Sequence, residues 1–253
     1  MIWKLDTTRL AALATAGVFA LLALAASALV PAHAQVDPKI AIRASVEQWL
    51  KGRYPVDDIS ATPLANMYEV RIGTDLIYVD ARGEYAFVEG QMIDLKKNAN
   101  LTQARIDEVM RIDFRKDLPF DAAIKQVNGN GSRVLAVFED PNCTYCKKFR
   151  RDLVNVKDIT VYTFPYPILA ADSDVKSRKA LCAPDKVSAW NEMMIAGKVP
   201  ANDGSCETPI ARIQEVGRKL RITGTPTMFF ANGKRIPGGI SVEQLEAMLK
   251  QNG

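Results

Sequence analysis

The stretch FEDPNCTYCKKF, residues 138–149, most constrains what this chain can become. Before it, RVLAVFE (133–139) is an apolar run with the character of a buried strand. After it, CKKFRRDL (146–153) has the spacing of a helix. Cys143 and Cys146 therefore flank the point where a strand gives way to a helix. Three uses of such a pair compete: two ligands of a four-thiolate metal site, part of a set of structural bridges, or a redox dithiol. The choice turns on the compartment, on the two remaining cysteines, Cys182 and Cys206, and on a proline far down the chain.

The N-terminus bears on the compartment. Lys4 and Arg9 precede an apolar stretch over 10–30, Pro31 follows, and Ala32-His33-Ala34 makes a small-x-small exit before Gln35. These are the parts of a cleaved secretory signal occupying residues 1–34. The stretch is also long enough to span a bilayer, so a retained anchor is the alternative. The placing of Ala-His-Ala directly after a helix-breaking proline favours cleavage. A chain exported in this way reaches an oxidising compartment where disulfides persist. It would also contain no histidine, because His33 is the only one in the 253 residues. That excludes Ser-His and Cys-His catalysis and His-ligated metal sites. The formal charge of +4, with acids and bases interleaved, gives no support to nucleic-acid binding.

Residues 37–52 have the marks of a capped helix, with Asp37 at the N-cap, Pro38 in the first turn and Gly52 at the stop. Ile42, Val46, Trp49 and Leu50 would form its apolar face. Short β-rich runs follow, NMYEVRIG, DLIYVDARG and EYAFVEG, with a turn at Arg82-Gly83. Residues 35–95 thus make a small α+β unit, of a size at which a lone core is marginal and self-association a natural remedy. Residues 96–120 carry Ile106, Val109 and Met110 at helical spacing and read as a connecting helix, with an ordinary helix packed on either domain as the alternative. From Asp121 to the end a second pattern runs: a helix-like FDAAIKQV, a turn at 128–131, strand 133–139, the cysteine pair and its helix, and strand ITVYTFPYPI. A helical stretch over 173–198, a helix in ETPIARIQEVGRKLRI, a hairpin with an Asn232-Gly233 turn and a capped terminal helix complete it. This order belongs to an α/β sandwich.

Zinc ribbons supply two close cysteine pairs, whereas Cys182 and Cys206 lie 24 positions apart. A bridge between CxxC sulfurs is strained and reducible, which makes a poor staple. The redox reading has local physics behind it. The unpaired N–H groups and positive dipole end of a helix stabilise a thiolate at Cys143. An exposed Cys143 would attack, and Cys146, one turn in, would be more buried and act as the resolving thiol. Lys147, Lys148, Arg150 and Arg151 could add positive potential, but as exposed charges they read better as a solvated helix face. Cys182 and Cys206 would then be left to pair, closing a loop worth about 3–3.5 kcal/mol in the chain-entropy model. Spacing alone leaves the pairing open.

RITGTPTMFF places Thr225-Pro226 at the start of a strand, 80 residues beyond Cys146. Together with CTYC, TFPYP, LCAPDK, GSC and NGKRIPGG, this chain resembles the periplasmic disulfide isomerases DsbC and DsbG over essentially its whole length after the signal. The resemblance implies a thioredoxin-like catalytic domain with a helical insert over 121–253, a dimerisation domain over 35–95 and a linker helix over 96–120. It implies Cys143 as nucleophile, Cys146 as resolving cysteine and Cys182–Cys206 as a structural disulfide. Pro226 would be a cis-proline beside Thr225 at the substrate site, which Thr144 and Tyr145 complete. The chain departs from the pattern between the cysteines, where Gly-Tyr or Pro-Tyr is typical. The implied activity is rearrangement of non-native disulfides in misfolded secreted proteins, with chaperone activity, in a periplasmic homodimer kept reduced by a membrane reductase like DsbD. No metal or organic cofactor is implied. A DsbG-like chaperone or reductase, a dithiol oxidase and a purely holding chaperone are the alternatives.

Overall fold

Asp37 opens the first helix, its carboxylate accepting the Lys39 N–H at 3.0 Å. This computed structural model describes residues 37–252, so the expected signal at 1–34 lies outside the described residues. Helix α1 runs Pro38–Trp49 and ends where Lys51 and Gly52 turn left-handed. Ile42 and Val46 are buried under it, but Trp49 points outward and is 58% exposed. It therefore takes no part in the expected apolar face, of which Leu50 is only partly covered. The antiparallel sheet that follows has the order β1 (Asp58–Ala61), β2 (Met67–Ile72), β3 (Asp75–Asp80) and β4 (Ala86–Phe87). Val56, Ile59, Val70, Ile77 and Val79 close this small core. Residues 37–73 and 77–88 form one compact unit, and 74–76 with 89–252 form a second.

The second unit begins with a two-stranded ribbon, β5 (Ile93–Asp94) and β6 (Ala99–Asn100), turned by Asp94, whose carboxylate accepts the N–H groups of Lys96 and Lys97. Helicity within 96–120 is confined to α2 (Leu101–Val109) and the short α3 (Phe114–Asp117). The reason is capping: Asn100 and Asp113 each accept N–H groups as N-caps, which sets two separate helix starts. A 3₁₀ turn at Phe120–Ala122 follows.

The central sheet has the order β11–β10–β8–β9–β7, built from β7 (Ile124–Asn128), β8 (Arg133–Glu139), β9 (Ile159–Pro165), β10 (Thr227–Phe230) and β11 (Arg235–Pro237). Only β8 and β9 are parallel, joined by helix α4 (Thr144–Leu153) as a crossover. The helix-like 120–127 is thus a strand at its end: Ile124 to Asn128 pair antiparallel with Thr163 to Ile159. Residues of β8 alternate between two cores. Leu135 and Val137 face α4 and the terminal helix, while Ala136 and Phe138 face Phe164, Phe229 and the helix carrying Ile213.

Beyond β9 the helical stretch divides into α5 (Ser173–Leu181) and α6 (Lys186–Ala196), because Pro184 interrupts it and Asp185 caps a new start. Helix α7 (Ile210–Lys219), the β10–β11 hairpin with Gly233 left-handed, and α8 (Val242–Asn252) complete the unit. Ser241 and Gln244 exchange hydrogen bonds at the start of α8, a capping box.

Gly217 in α7 gives a test of this packing. A Cβ there would stand 2.3 Å from the Tyr166 ring, whose hydroxyl donates to the Ile222 carbonyl. Gly→Ala in a helix ordinarily stabilises by about 1 kcal/mol. Here the sign reverses: Gly217→Ala should destabilise by about 1–3 kcal/mol through overpacking, read as a lower midpoint in urea.

Candidate active site

Strand β8 ends at Glu139, and the chain turns through Asp140 and Pro141 so that the Cys143 N–H reaches the Asp140 carbonyl at 3.0 Å. Cys143 is then the N-cap of α4, with extended backbone (φ −74°, ψ 115°). Its Sγ takes the place of the usual capping oxygen and accepts the Cys146 N–H at 3.1 Å. From the other side, the sulfur lies 3.2 Å from the carbonyl oxygen of Thr225, to which the thiol donates. The Thr225-Pro226 bond is cis, and the Pro226 carbonyl is held by the Gly238 N–H at 2.8 Å. Thr144 and Tyr145 are exposed beside the sulfur, and the Tyr145 side chain lies next to Gly239. Residues 82 positions apart in sequence, Cys143 and Thr225, are thereby in contact.

Cys143 is less open than the sequence reading has it. The residue is 4% exposed and Cys146 fully buried. Both pack into a cluster with Trp190, Met193 and Met194 from α6 and Ala180 and Leu181 from α5, so the helical insert walls the site. Both are free thiols, while Cys182 and Cys206 are joined, Cα to Cα 5.7 Å. Two of the sulfurs that a four-thiolate metal site requires are therefore bonded to each other. Among the described residues no group of three or more His, Cys, Asp or Glu side chains is arranged to hold a metal ion.

The two thiols have opposite acidities. Hydrogen bonding from the Cys146 side chain does most to hold the Cys143 pKa down to about 6; burial opposes it, and the Thr225 side chain and the N–H groups of Cys146 and Tyr145 assist. The Thr225 hydroxyl is itself buried, with no hydrogen-bond partner among the described residues. It is thus a donor available to an ionised sulfur. Cys146 is pushed strongly upward, first by burial, then by the Cys143 sulfur and the nearby Glu139 carboxylate.

One basic residue of the presumed solvated helix face is not solvated. Arg150 is 2% exposed, and its guanidinium pairs with Glu139 at 2.7 Å and contacts the Thr163 hydroxyl. Glu139 also accepts from the Trp190 indole at 2.9 Å. This buried ion pair joins β8, α4 and α6 beneath Cys146. The one sequence sign of it is an acidic residue closing an otherwise apolar strand, with a basic residue 11 positions on. Asp140, Asn142 and Ser173, equally unremarked in the sequence, form a second polar cluster against the cap of α4.

A three-layered α/β domain with a reduced CxxC at a helix N-cap, an acidified outer thiol and a cis-proline bend against it defines a thioredoxin-like thiol–disulfide exchange protein. A family model of thioredoxin-like domains matches residues 120–253, and a model of the disulfide bond isomerase protein N-terminal domain matches 27–103. The probable thiol:disulfide interchange protein DsbC of Bordetella pertussis is 41% identical over 214 residues, 84% of this chain and 75% of that relative. The thiol:disulfide interchange protein DsbC of Escherichia coli K12 is 29% identical over 201 residues, 77% of this chain and 81% of that relative. The crystal structure of a disulfide interchange protein from Neisseria gonorrhoeae aligns at TM-score 0.52 and 37% identity, over 53% of this chain and 98% of that one. The chain belongs to the DsbC family of disulfide isomerases and is a thiol:disulfide interchange enzyme.

The acidity of Cys143 is measurable. With an acid pulled down from 9.0 to about 6, the reactive thiolate is present above that value and lost as pH falls through it. Alkylation of the reduced protein by iodoacetamide should reach half its plateau rate near pH 6 and fall about tenfold one unit lower. A midpoint above pH 8 would rule out the electrostatics described.

Proposed function

We propose that this protein is a periplasmic disulfide isomerase and reductase acting on non-native disulfides of misfolded secreted proteins. The observation that carries the proposal is the sulfur of Cys143, acidified at the N-cap of α4 and held against the Thr225 carbonyl, above a buried Cys146 thiol. Cys143 is the nucleophile. Its thiolate attacks one sulfur of a wrong disulfide, a mixed disulfide forms and a substrate thiolate leaves. When a substrate thiolate then attacks the substrate sulfur of the mixed disulfide, a new substrate disulfide forms and Cys143 is regenerated with no net redox change. Otherwise Cys146 loses its proton and attacks the Cys143 sulfur. The substrate departs reduced and the enzyme carries a Cys143–Cys146 disulfide. Two electrons must then come from a reductant, for which a membrane reductase like DsbD fits. The Thr225-Pro226 bend, with Thr144 and Tyr145, is the substrate-binding edge, and Cys182–Cys206 is the structural bridge of the insert.

Residues 1–34 would be the cleaved signal, 35–95 the dimerisation domain, 96–120 the linker and 121–253 the catalytic domain. Exposed Trp49, Tyr54, Tyr85 and Phe87, with the short edge strand β4, supply the N-terminal unit with surface to bury against a second copy. Such a dimer would carry two reactive sites and could hold unfolded chains, the basis of the chaperone activity proposed here.

Variants separate these roles. Cys143→Ala should abolish isomerisation of a protein oxidised to scrambled disulfides. Cys146→Ala should keep the attack but accumulate mixed disulfide, visible as a covalent adduct on non-reducing gels. Undiminished turnover by the Cys143 variant sinks the mechanism. The double variant should still suppress aggregation of a denatured client, and loss of that activity would tie holding to the thiols.

A further inference from the structure

The cap of α4 is fastened from the side by side chains that take no part in the exchange just proposed. Asp140 is fully buried, and each of its carboxylate oxygens accepts two hydrogen bonds. Oδ1 takes the Asn142 N–H at 2.7 Å and the Ser173 hydroxyl at 2.8 Å. Oδ2 takes the N–H groups of Ile168 and Leu169 at 2.7 and 2.9 Å. Asn142, the residue immediately before the reactive cysteine, extends the same cluster. Its amide donates to Asp172 Oδ1 at 2.7 Å and to Ser173 Oγ at 2.9 Å, and its carbonyl oxygen accepts Lys176 Nζ at 2.7 Å. Ser173 is fully buried and opens α5. Three segments meet here: the turn that presents Cys143, the loop after β9 that carries half-exposed Ile168 and Leu169, and the first turn of α5.

We infer that Asp140 and Asn142 are positioning residues for the reaction at Cys143, locking the cap of α4 to α5 and to the 168–169 edge. The inference rests on Cys143 being the attacking sulfur. Its physical basis is the cap geometry. The sulfur meets the Cys146 N–H only while residue 143 keeps its extended backbone, and a backbone bond from Cys143 to Asp140 closes the turn just before it. The turn has no other side-chain anchor in sequence between Glu139 and Cys143, because Pro141 offers neither a side-chain polar group nor an N–H. Cutting the anchors should let the cap fray, so that the thiolate loses a donor and the sulfur its alignment with an incoming disulfide. An ordinary structural cluster would lower stability and leave the chemistry of the surviving folded molecules unchanged.

The test compares the full-length wild-type protein with Asn142→Ala and Asp140→Asn. Asparagine at 140 keeps the shape but turns an N–H₂ toward donors it cannot accept from. Asn142 is half-exposed, so its alanine variant folds even where the Asp140 variant does not. Two readouts are taken on folded protein: the pH midpoint of Cys143 alkylation by iodoacetamide, and kcat/KM for reduction of a disulfide-containing peptide. Asn142→Ala should raise the midpoint by about half a unit to one unit, the size of one weakened capping bond, and lower kcat/KM about three- to tenfold. An unchanged midpoint and unchanged kcat/KM in Asn142→Ala, with or without a lower melting temperature, overturns the inference. A wild-type midpoint no lower than that of an ordinary thiol would instead overturn the role of Cys143 itself, so the two failures are distinguishable.

Discussion

A single contact organises the chemistry of this molecule: a sulfur standing where a helix normally keeps an oxygen. The first N–H groups of α4 have no intrahelical partners, and Cys143 Sγ satisfies one of them at 3.1 Å. That bond costs little when the sulfur is neutral and strengthens when it is charged, which makes the helix end a device for holding a thiolate. The contact depends on where the helix begins. Strand β8 lies in the middle of the five-stranded sheet, packed on both faces, so the point at which its chain leaves the sheet is rigid. The cis bend at Thr225-Pro226 leads into β10, the neighbour of β8, so the sheet register delivers both halves of the site to the same edge.

Beneath that contact lies an unusual polar core. Glu139 and Arg150 are both buried, and taking an ion pair out of water is costly unless its remaining hydrogen-bonding capacity is used. Much of it is, through Trp190, Thr163, Gln126 and Asn191, although one Glu139 oxygen has no partner among the described residues. The pair links the strand before the cysteines, the helix after them and the insert.

Much of this was legible in the sequence because it is local. Strand β8, the N-cap at Cys143, the hairpin at Asn232-Gly233 and the capping box at Ser241 each depend on a few neighbouring residues. What was not legible is decided by distant partners. The segment from Ile124 has spacing compatible with a helix, yet it pairs with β9 more than 30 residues on, and that pairing outweighs propensity. Arg150 sits among Lys147, Lys148 and Arg151 and reads as solvent-facing with them; Glu139 and Thr163, on other elements, draw it inward. Trp49 fits the apolar stripe of α1 yet stays exposed, because burial depends on what another element places beneath it and not on the stripe alone. Within 96–120 the helical spacing is real, but the caps at Asn100 and Asp113 override its continuity.

The opposed acidities of the two sulfurs favour one outcome of the proposed reaction over the other. Once a mixed disulfide has formed on Cys143, the Cys146 thiol must shed a proton before it can attack. Burial and the adjacent Glu139 carboxylate both resist that loss. A thiol on the bound substrate, standing in water, ionises near its ordinary pKa and faces no such penalty. Under the proposed mechanism, a substrate thiol within reach therefore meets a lower cost of ionisation than Cys146 does. The same packing around Trp190, Met193 and Met194 that encloses the pair supplies that burial, so under the proposed mechanism the helical insert contributes to the cost of resolution.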